Sequence, residues 1–275
     1  DFVPKPKNAA AGNLEPVALQ LAEKIKVAKR AGGRKSIPKP VLELPPSSKK
    51  RSRPAVPPNR IIAIGISTGG PNALQYLLTQ FPADFPATFV VVQHMPEGFT
   101  DMFARRLDEC CALDVHEAKS GDLLIAGRVL ICPGNRHMMV RRMPRGEMVV
   151  LSDTPPINGH RPSADVLFHS VAQEFGLTSV GIIMTGMGED GAEGIGAIKA
   201  AGGMTIAQSE ETCVVSGMPR AAMMKGFVQK VLPLDTLGAH LLSLYGSDRS
   251  SNSEKQDSSE KSEKGEKVPV STPRT

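Results

Sequence analysis

The segment Ile61–Ile66 carries no polar side chain and breaks directly into Gly65-Ile66-Ser67-Thr68-Gly69-Gly70, a small-residue turn followed by helical spacing. An unbroken apolar run of this length suits a strand, and its lack of alternation means that both faces must be covered. Such a strand needs parallel neighbours with helices packed above and below, which leaves few architectures open. The same pattern recurs along the chain. Thr88–Gln93, Ser179–Met184, Met204–Gln208 and Val228–Val231 read as strands. Helical spacing fills the gaps at Pro71–Phe81, Thr100–Cys111, Gly191–Ala200 and Pro219–Lys225. Two further helices are expected, one capped by Ser163 and running to about Phe175, the other from about Asp235 to Tyr245. Shorter strands at Arg128–Cys132, Met138–Arg142 and Met148–Leu151 interrupt the alternation, the last two as a hairpin across Pro144-Arg145-Gly146. The pattern predicts an α/β fold: a three-layer, doubly wound, mainly parallel sheet with a small antiparallel hairpin insertion.

The predicted core runs from residue 60 to 246, and what flanks it differs in kind. Residues 14–31 have helical spacing, with Leu14, Val17, Ala18, Leu21, Ala22, Ile25 and Ala28 on one face and Asn13 placed to cap. Residues 32–59 hold seven prolines among Lys, Ser and Arg and read as an extended linker. Residues 247–275, rich in Ser, Glu and Lys, are expected to be disordered. Charge follows the same boundaries. Residues 1–60 carry 14 Lys/Arg against 4 Asp/Glu, residues 61–246 carry 13 against 18, and residues 247–275 carry six of each. The net charge of +5 therefore arises in the N-terminal flank, while the predicted core is acidic and poor in stacking aromatics. Nucleic-acid binding is not expected of such a core.

Other classes fall away on simpler grounds. The apolar runs are far shorter than the roughly 20 residues that span a bilayer, so membrane insertion is not expected. No charged-then-apolar signal segment opens the sequence. The four cysteines, Cys110, Cys111, Cys132 and Cys213, show no C-x-x-C spacing, which argues against both a disulfide framework and a zinc module. A soluble, cytoplasmic protein is the expectation.

The turn at 65–70 admits two chemistries besides a plain capped turn. Glycines there let backbone N–H groups approach a phosphate at the helix N-terminus. The same pattern also fits a nucleophile elbow, G-x-S-x-G, which lifts a serine oxygen above the carboxyl edge of the sheet. The second strand discriminates between them. A dinucleotide site places an acidic residue at its end to hold ribose hydroxyls, but here the strand ends in Gln93-His94-Met95-Pro96, which supplies a base instead. A third loop, Thr185-Gly186-Met187-Gly188-Glu189-Asp190-Gly191, follows the strand ending at Met184 and brings glycines and two carboxylates. Ser67, His94 and Asp190 all lie just past the carboxyl ends of predicted parallel strands, where a doubly wound sheet gathers its ligands. The set suggests a Ser-His-Asp hydrolase. Its order along the chain differs from the Ser…Asp…His order of α/β-hydrolases. Glu189 and Asp165 are carboxylates in the same neighbourhood, and spacing alone does not choose among the three. A phosphate- or nucleotide-binding module using Gly65–Gly70 and a non-catalytic signalling domain are the competing readings.

Five separated segments of 60–245 resemble the catalytic domain of the chemotaxis response-regulator protein-glutamate methylesterases, the CheB family. They are the 65–71 turn, Gln93-His94-Met95, Arg161-Pro162-Ser163-Ala164-Asp165, the 185–192 loop, and Ser216-Gly217-Met218-Pro219-Arg220. The resemblance implies Ser67 as nucleophile, His94 as base and Asp190 as the orienting carboxylate. It implies hydrolysis of glutamate γ-methyl esters on chemoreceptor cytoplasmic helices and deamidation of receptor glutamines, with no metal or organic cofactor. The backbone N–H of Met187, and second that of Thr68, are the expected oxyanion donors. Arg161 and Arg220 are candidates for contacting an acidic receptor surface. By the same resemblance, residues 1–31 correspond to the last strand end and helix of a receiver domain, the rest of which, with its phosphoacceptor, is expected upstream. A histidine kinase would act only through that receiver.

Overall fold

The computed structural model describes residues 56–245 and eight helical positions between residues 18 and 29. Of the predicted face at 14–31, Leu21 and Ile25 are among those positions and are exposed. The rest of residues 1–31, residues 32–55 and the expected tail lie outside the described residues. Residues 56–59 are tied to the sheet's lower edge: the Val56 carbonyl accepts the Ala126 N–H at 2.9 Å, and the Asn59 N–H donates to the Pro86 carbonyl at 2.9 Å.

The strands are β1 (Arg60–Ile66), β2 (Ala87–Gln93), β3 (Asp114–Glu117), β4 (Arg128–Ile131), β5 (His137–Met143), β6 (Gly146–Ser152), β7 (Ser179–Ile183), β8 (Met204–Gln208) and β9 (Lys230–Leu232). Helices α1 (Gly70–Leu78), α2 (Phe99–Cys110), α3 (Ala164–Phe175), α4 (Ala192–Ala200) and α5 (Gly217–Met224) alternate with them. Residues 234–238 open a further helix, and residues 239–245, assigned to a second unit, are helical. Seven strands form one parallel sheet in the order β3-β4-β2-β1-β7-β8-β9, and β5 and β6 form a separate antiparallel pair. The expected fold class is the one observed.

Burial explains why the central strands read as continuous apolar runs. Every residue of β2 and all but the first of β1 are buried. On one side Ile61, Ala63, Val90 and Val92 pack with Leu167, Phe168 and Val171 of α3, Ile195 and Ile198 of α4, and Met138, Val140 and Val149 of the hairpin. On the other side Phe81, Phe85 and Phe89 form a ring cluster with centroids 4.6–5.6 Å apart. Each such buried side chain contributes about 1.5–3 kcal/mol, so these two interiors fix which way the strands face.

Strand β3 was not expected from the sequence. Asp-Val-His-Glu has one apolar residue, and only Val115 is buried. Its place at the sheet edge rests on polar contacts, including the Arg128 Nε bond to Asp114 Oδ2 at 2.9 Å across the β3–β4 pair.

The strand order carries the functional consequence. From β1 the chain moves to β2, crosses to the edge as β3, comes back between them as β4, and later returns on the opposite side of β1 as β7. Consecutive turns after β1 and β7 therefore diverge to opposite faces, and a crevice opens above the carboxyl ends between them.

Candidate active site

Register brings the three turns together. Ile66 pairs with Gln93, and Gly65 pairs with Ile183, so the residues that follow these strand ends start at the same height. Backbone bonds continue past the strands: the Ser67 N–H donates to the Thr185 carbonyl at 2.9 Å, and the His94 N–H donates to the Ile66 carbonyl at 3.0 Å.

Ser67 is half-buried in a turn with no room to spare. Its carbonyl accepts the Gly70 N–H at 2.8 Å and the Gln93 Nε2 at 3.0 Å. Gln93 Nε2 also donates to the His94 carbonyl at 3.2 Å, so one buried amide links the backbones of Ser67 and His94. A methyl group at Gly70 would collide with Gln93 Oε1, and one at Gly186 would collide with Met218 Sδ and stand 2.8 Å from Ser67 Cβ. Glycine at 70 and 186 is thus a packing requirement of the site.

His94 Nε2 donates to Asp190 Oδ2 at 2.7 Å. Its other nitrogen, Nδ1, is buried without a hydrogen-bond partner. The ring lies flat against that of His160, centroids 4.4 Å apart and planes 8° from parallel.

Asp190 is fully enclosed and accepts four hydrogen bonds. Besides His94, Oδ2 takes the Ala164 N–H at 2.6 Å, and Oδ1 takes the Ser163 hydroxyl at 2.6 Å and the Asp165 N–H at 3.3 Å. Burial pushes its carboxyl up, but the hydrogen bond and charge of His94, the Ser163 hydroxyl and the Ala164 N–H outweigh this and bring it down to about 2. The carboxylate is held ionised by the fold.

This arrangement corrects the reading of Ser163. Its side chain makes no cap bond to α3 but donates to Asp190. Asp190, arriving from the turn after β7, takes the N–H groups at the start of α3 and performs the cap's task from outside the helix.

The other candidates separate cleanly. Glu189 is exposed, while Asp165 turns away and accepts the Gly194 N–H at 2.7 Å, with burial raising its pKa. Met187 is 40% exposed, and Thr68, half-buried, accepts the Thr185 hydroxyl on its carbonyl at 2.9 Å. Thr185, buried at the base of the crevice, donates its N–H to Gln208 Oε1 at 2.9 Å. The Gly186 carbonyl accepts the Met218 N–H at 3.0 Å, which gives the 216–220 segment its place as a buttress of the loop. Arg161 is engaged: its guanidinium bonds Asn135 Oδ1 at 2.7 and 3.1 Å and the carbonyls of Asp153 and Thr154 at 3.0 and 3.1 Å. Arg220 is exposed. An open cavity of about 470 Å³ beside Arg141, Asp165, His169 and Glu193 includes none of Ser67, His94 and Asp190.

Sequence reading missed His160, the Gln93 amide and the acceptor of the Ser163 hydroxyl. Gln93 had a signal, because a buried amide at the end of an apolar strand demands partners. His160 had none, since it sits in an irregular segment between the hairpin and α3.

A doubly wound parallel sheet that gathers a serine, a histidine and a buried carboxylate at three neighbouring strand ends has the layout of an α/β hydrolase. The CheB methylesterase family model matches residues 62–241. The chain is 58% identical over 261 residues to protein-glutamate methylesterase/protein-glutamine glutaminase 2 of Koribacter versatilis, covering 92% of this chain and 71% of that one. The Salmonella typhi protein-glutamate methylesterase/protein-glutamine glutaminase is 42% identical over 243 residues, 88% of this chain and 68% of its own. Among solved structures, the Thermotoga maritima CheB methylesterase catalytic domain aligns with a TM-score of 0.66 at 39% identity, covering 67% of this chain and 98% of that one. The chain belongs to the CheB methylesterase family.

Proposed function

We propose that this chain is a protein-glutamate methylesterase and protein-glutamine glutaminase acting on chemoreceptor cytoplasmic helices through Ser67, His94 and Asp190. The observation that carries the reading is the buried His94–Asp190 bond of 2.7 Å beside the Ser67 turn. Because Nε2 is committed to Asp190, Nδ1 is the nitrogen that accepts the serine proton. Ser67 Oγ adds to the γ-carbonyl of the ester, and His94 becomes the imidazolium, stabilised by Asp190. Backbone N–H groups, Met187 first and Thr68 second, are the proposed oxyanion donors. His94 returns the proton to the departing methoxide, which leaves as methanol. Water then attacks the acyl-enzyme with His94 as base and releases glutamate. A glutamine side chain follows the same path with ammonia leaving. All groups required are side chains and backbone of this chain, and no metal or organic cofactor enters a step.

In this reading the enzyme works in the cytoplasm, and the receiver domain of which residues 1–31 are the last strand end and helix is the element through which a histidine kinase would control it. Among the described residues no helix is long and apolar enough to cross a membrane.

The test is labelling with a phosphonylating probe and peptide mapping, alongside methanol release from a methylated receptor fragment. Stoichiometric modification of Ser67 that is lost in His94→Ala is expected. Equal labelling in that variant removes His94 from its role, and saturable nucleotide binding that protects the 65–70 turn would favour the phosphate-binding alternative.

A further inference from the structure

Among the described residues His160 is the ring that stacks on His94, and the segment carrying it is built as a strap. Ile157 and His160 exchange backbone bonds of 3.0 and 2.8 Å around Asn158 and Gly159, both with positive φ. The Arg161 guanidinium ties the next residue to Asn135 and to the carbonyls of Asp153 and Thr154. Asp153 is itself paired with Arg136 through two bonds of 2.8 Å. Directly beyond, Ser163, Ala164 and Asp165 hold the Asp190 carboxylate. One run of six residues thus touches both members of the base–carboxylate pair, His160 on the ring face and 163–165 on the acid. His160 Nε2 also comes to 4.0 Å from where a side chain on Gly188 would begin, which puts the ring beside the glycine loop.

A single hydrogen bond at Nε2 fixes one point of an imidazole and leaves its plane free to tilt about that point. Nδ1 has no partner to supply the second constraint. A parallel ring at 4.4 Å supplies it, since offset aromatic pairs resist relative tilting. We infer that His160 is a positioning residue for the proposed base: stacked on His94, it sets the ring plane so that Nδ1 faces Ser67. Burial, and secondarily His94, hold the His160 pKa below its ordinary value. That keeps the strap ring neutral against the positive charge that His94 gains during turnover.

The inference rests on His94 being the base, so His94→Ala is measured in parallel. The full chain is compared with His160→Phe, which keeps a flat ring, and with His160→Leu and His160→Ala, which do not. The readouts are kcat and KM for methanol release from a peptide bearing a glutamate γ-methyl ester, and the ring-proton shifts of His94 by NMR. His160→Phe should stay within about 3-fold of the parent kcat. Leu and Ala should lose roughly 10- to 100-fold in kcat, the cost of a slightly misplaced catalytic group, with KM little changed. The His94 ring protons should keep their upfield ring-current shift in Phe and lose it in Leu and Ala. If Leu matches Phe, filling space is enough and the inference fails. If Ala does not fold, the contrast between Phe and Leu decides alone. A fully active His94→Ala sinks the base assignment itself, whereas an inactive one with an unimpaired His160→Leu sinks only the strap.

Discussion

The two glycine turns beside the central strand do opposite jobs in opposite ways. The turn after β1 is crowded and enclosed: Gln93 presses on Gly70, Ser67 stands against Gly186, and the backbone is bonded on both sides. The turn after β7 has Met187, Gly188 and Glu189 exposed, and only its ends, Thr185–Gly186 and Asp190, are buried. Ser67, as the proposed nucleophile, needs its backbone fixed while its oxygen stays reachable, which calls for tight walls around a small residue. A carboxylate partner needs the reverse, an open approach for substrate followed by deep burial of one charge. The difference shows that the pattern of glycines does not by itself tell which role a turn takes. What surrounds it does.

The largest effect should come from the crowded turn. Ser67→Ala is expected to lower turnover by roughly 10⁶-fold with thermal stability unchanged, as measured by methanol release and melting. Next comes the buried end of the open turn. Asp190→Asn should cost on the order of 10⁴ in kcat, because the base loses its orienting charge. Walls matter after that: Gly186→Ala pushes a methyl group toward Ser67 and Met218, and a loss of about 100-fold in kcat is expected even in protein that folds. Unchanged kinetics there would mean that the two turns are not packed against each other as described.

Asp190 also gives the comparison a pH axis. Its carboxyl lies at about 2 in the folded chain, against about 3.9 unfolded. The lowered value means that its contribution is complete above the unfolded value and is lost as pH falls through the folded one. Roughly 2 kcal/mol of stability should therefore disappear between about pH 5 and 2, and acid unfolding of Asp190→Asn should lack that component. The smallest effect belongs to the exposed middle of the turn: Glu189→Gln should leave turnover within about 2-fold. A large loss there would overturn the division between the two ends.

The sheet was legible because its central strands are buried on both faces and carry that fact in every residue. Strand β3 was not, since one valine among polar residues does not announce a strand that exists by pairing at an edge. The Ser67 and His94 positions followed from small-residue and strand-end placement. The choice of Asp190 over Glu189 and Asp165 was open to spacing. Burial separates Asp190 from exposed Glu189, and the hydrogen bonds to His94 and Gly194 set Asp190 and Asp165 apart. His160 lay beyond reach, because a ring from an irregular segment meets its partner only through long-range packing.

Asp190 closes the start of α3 with the same carboxylate that holds His94, Oδ2 taking both His94 and the Ala164 N–H. A copy of this gene that abandoned hydrolysis could discard its serine at little structural expense, but it would still need an acid at this position to keep the helix seated. Decay in such a copy should therefore be uneven, with the serine drifting first and the carboxylate persisting as a relic of an activity no longer performed.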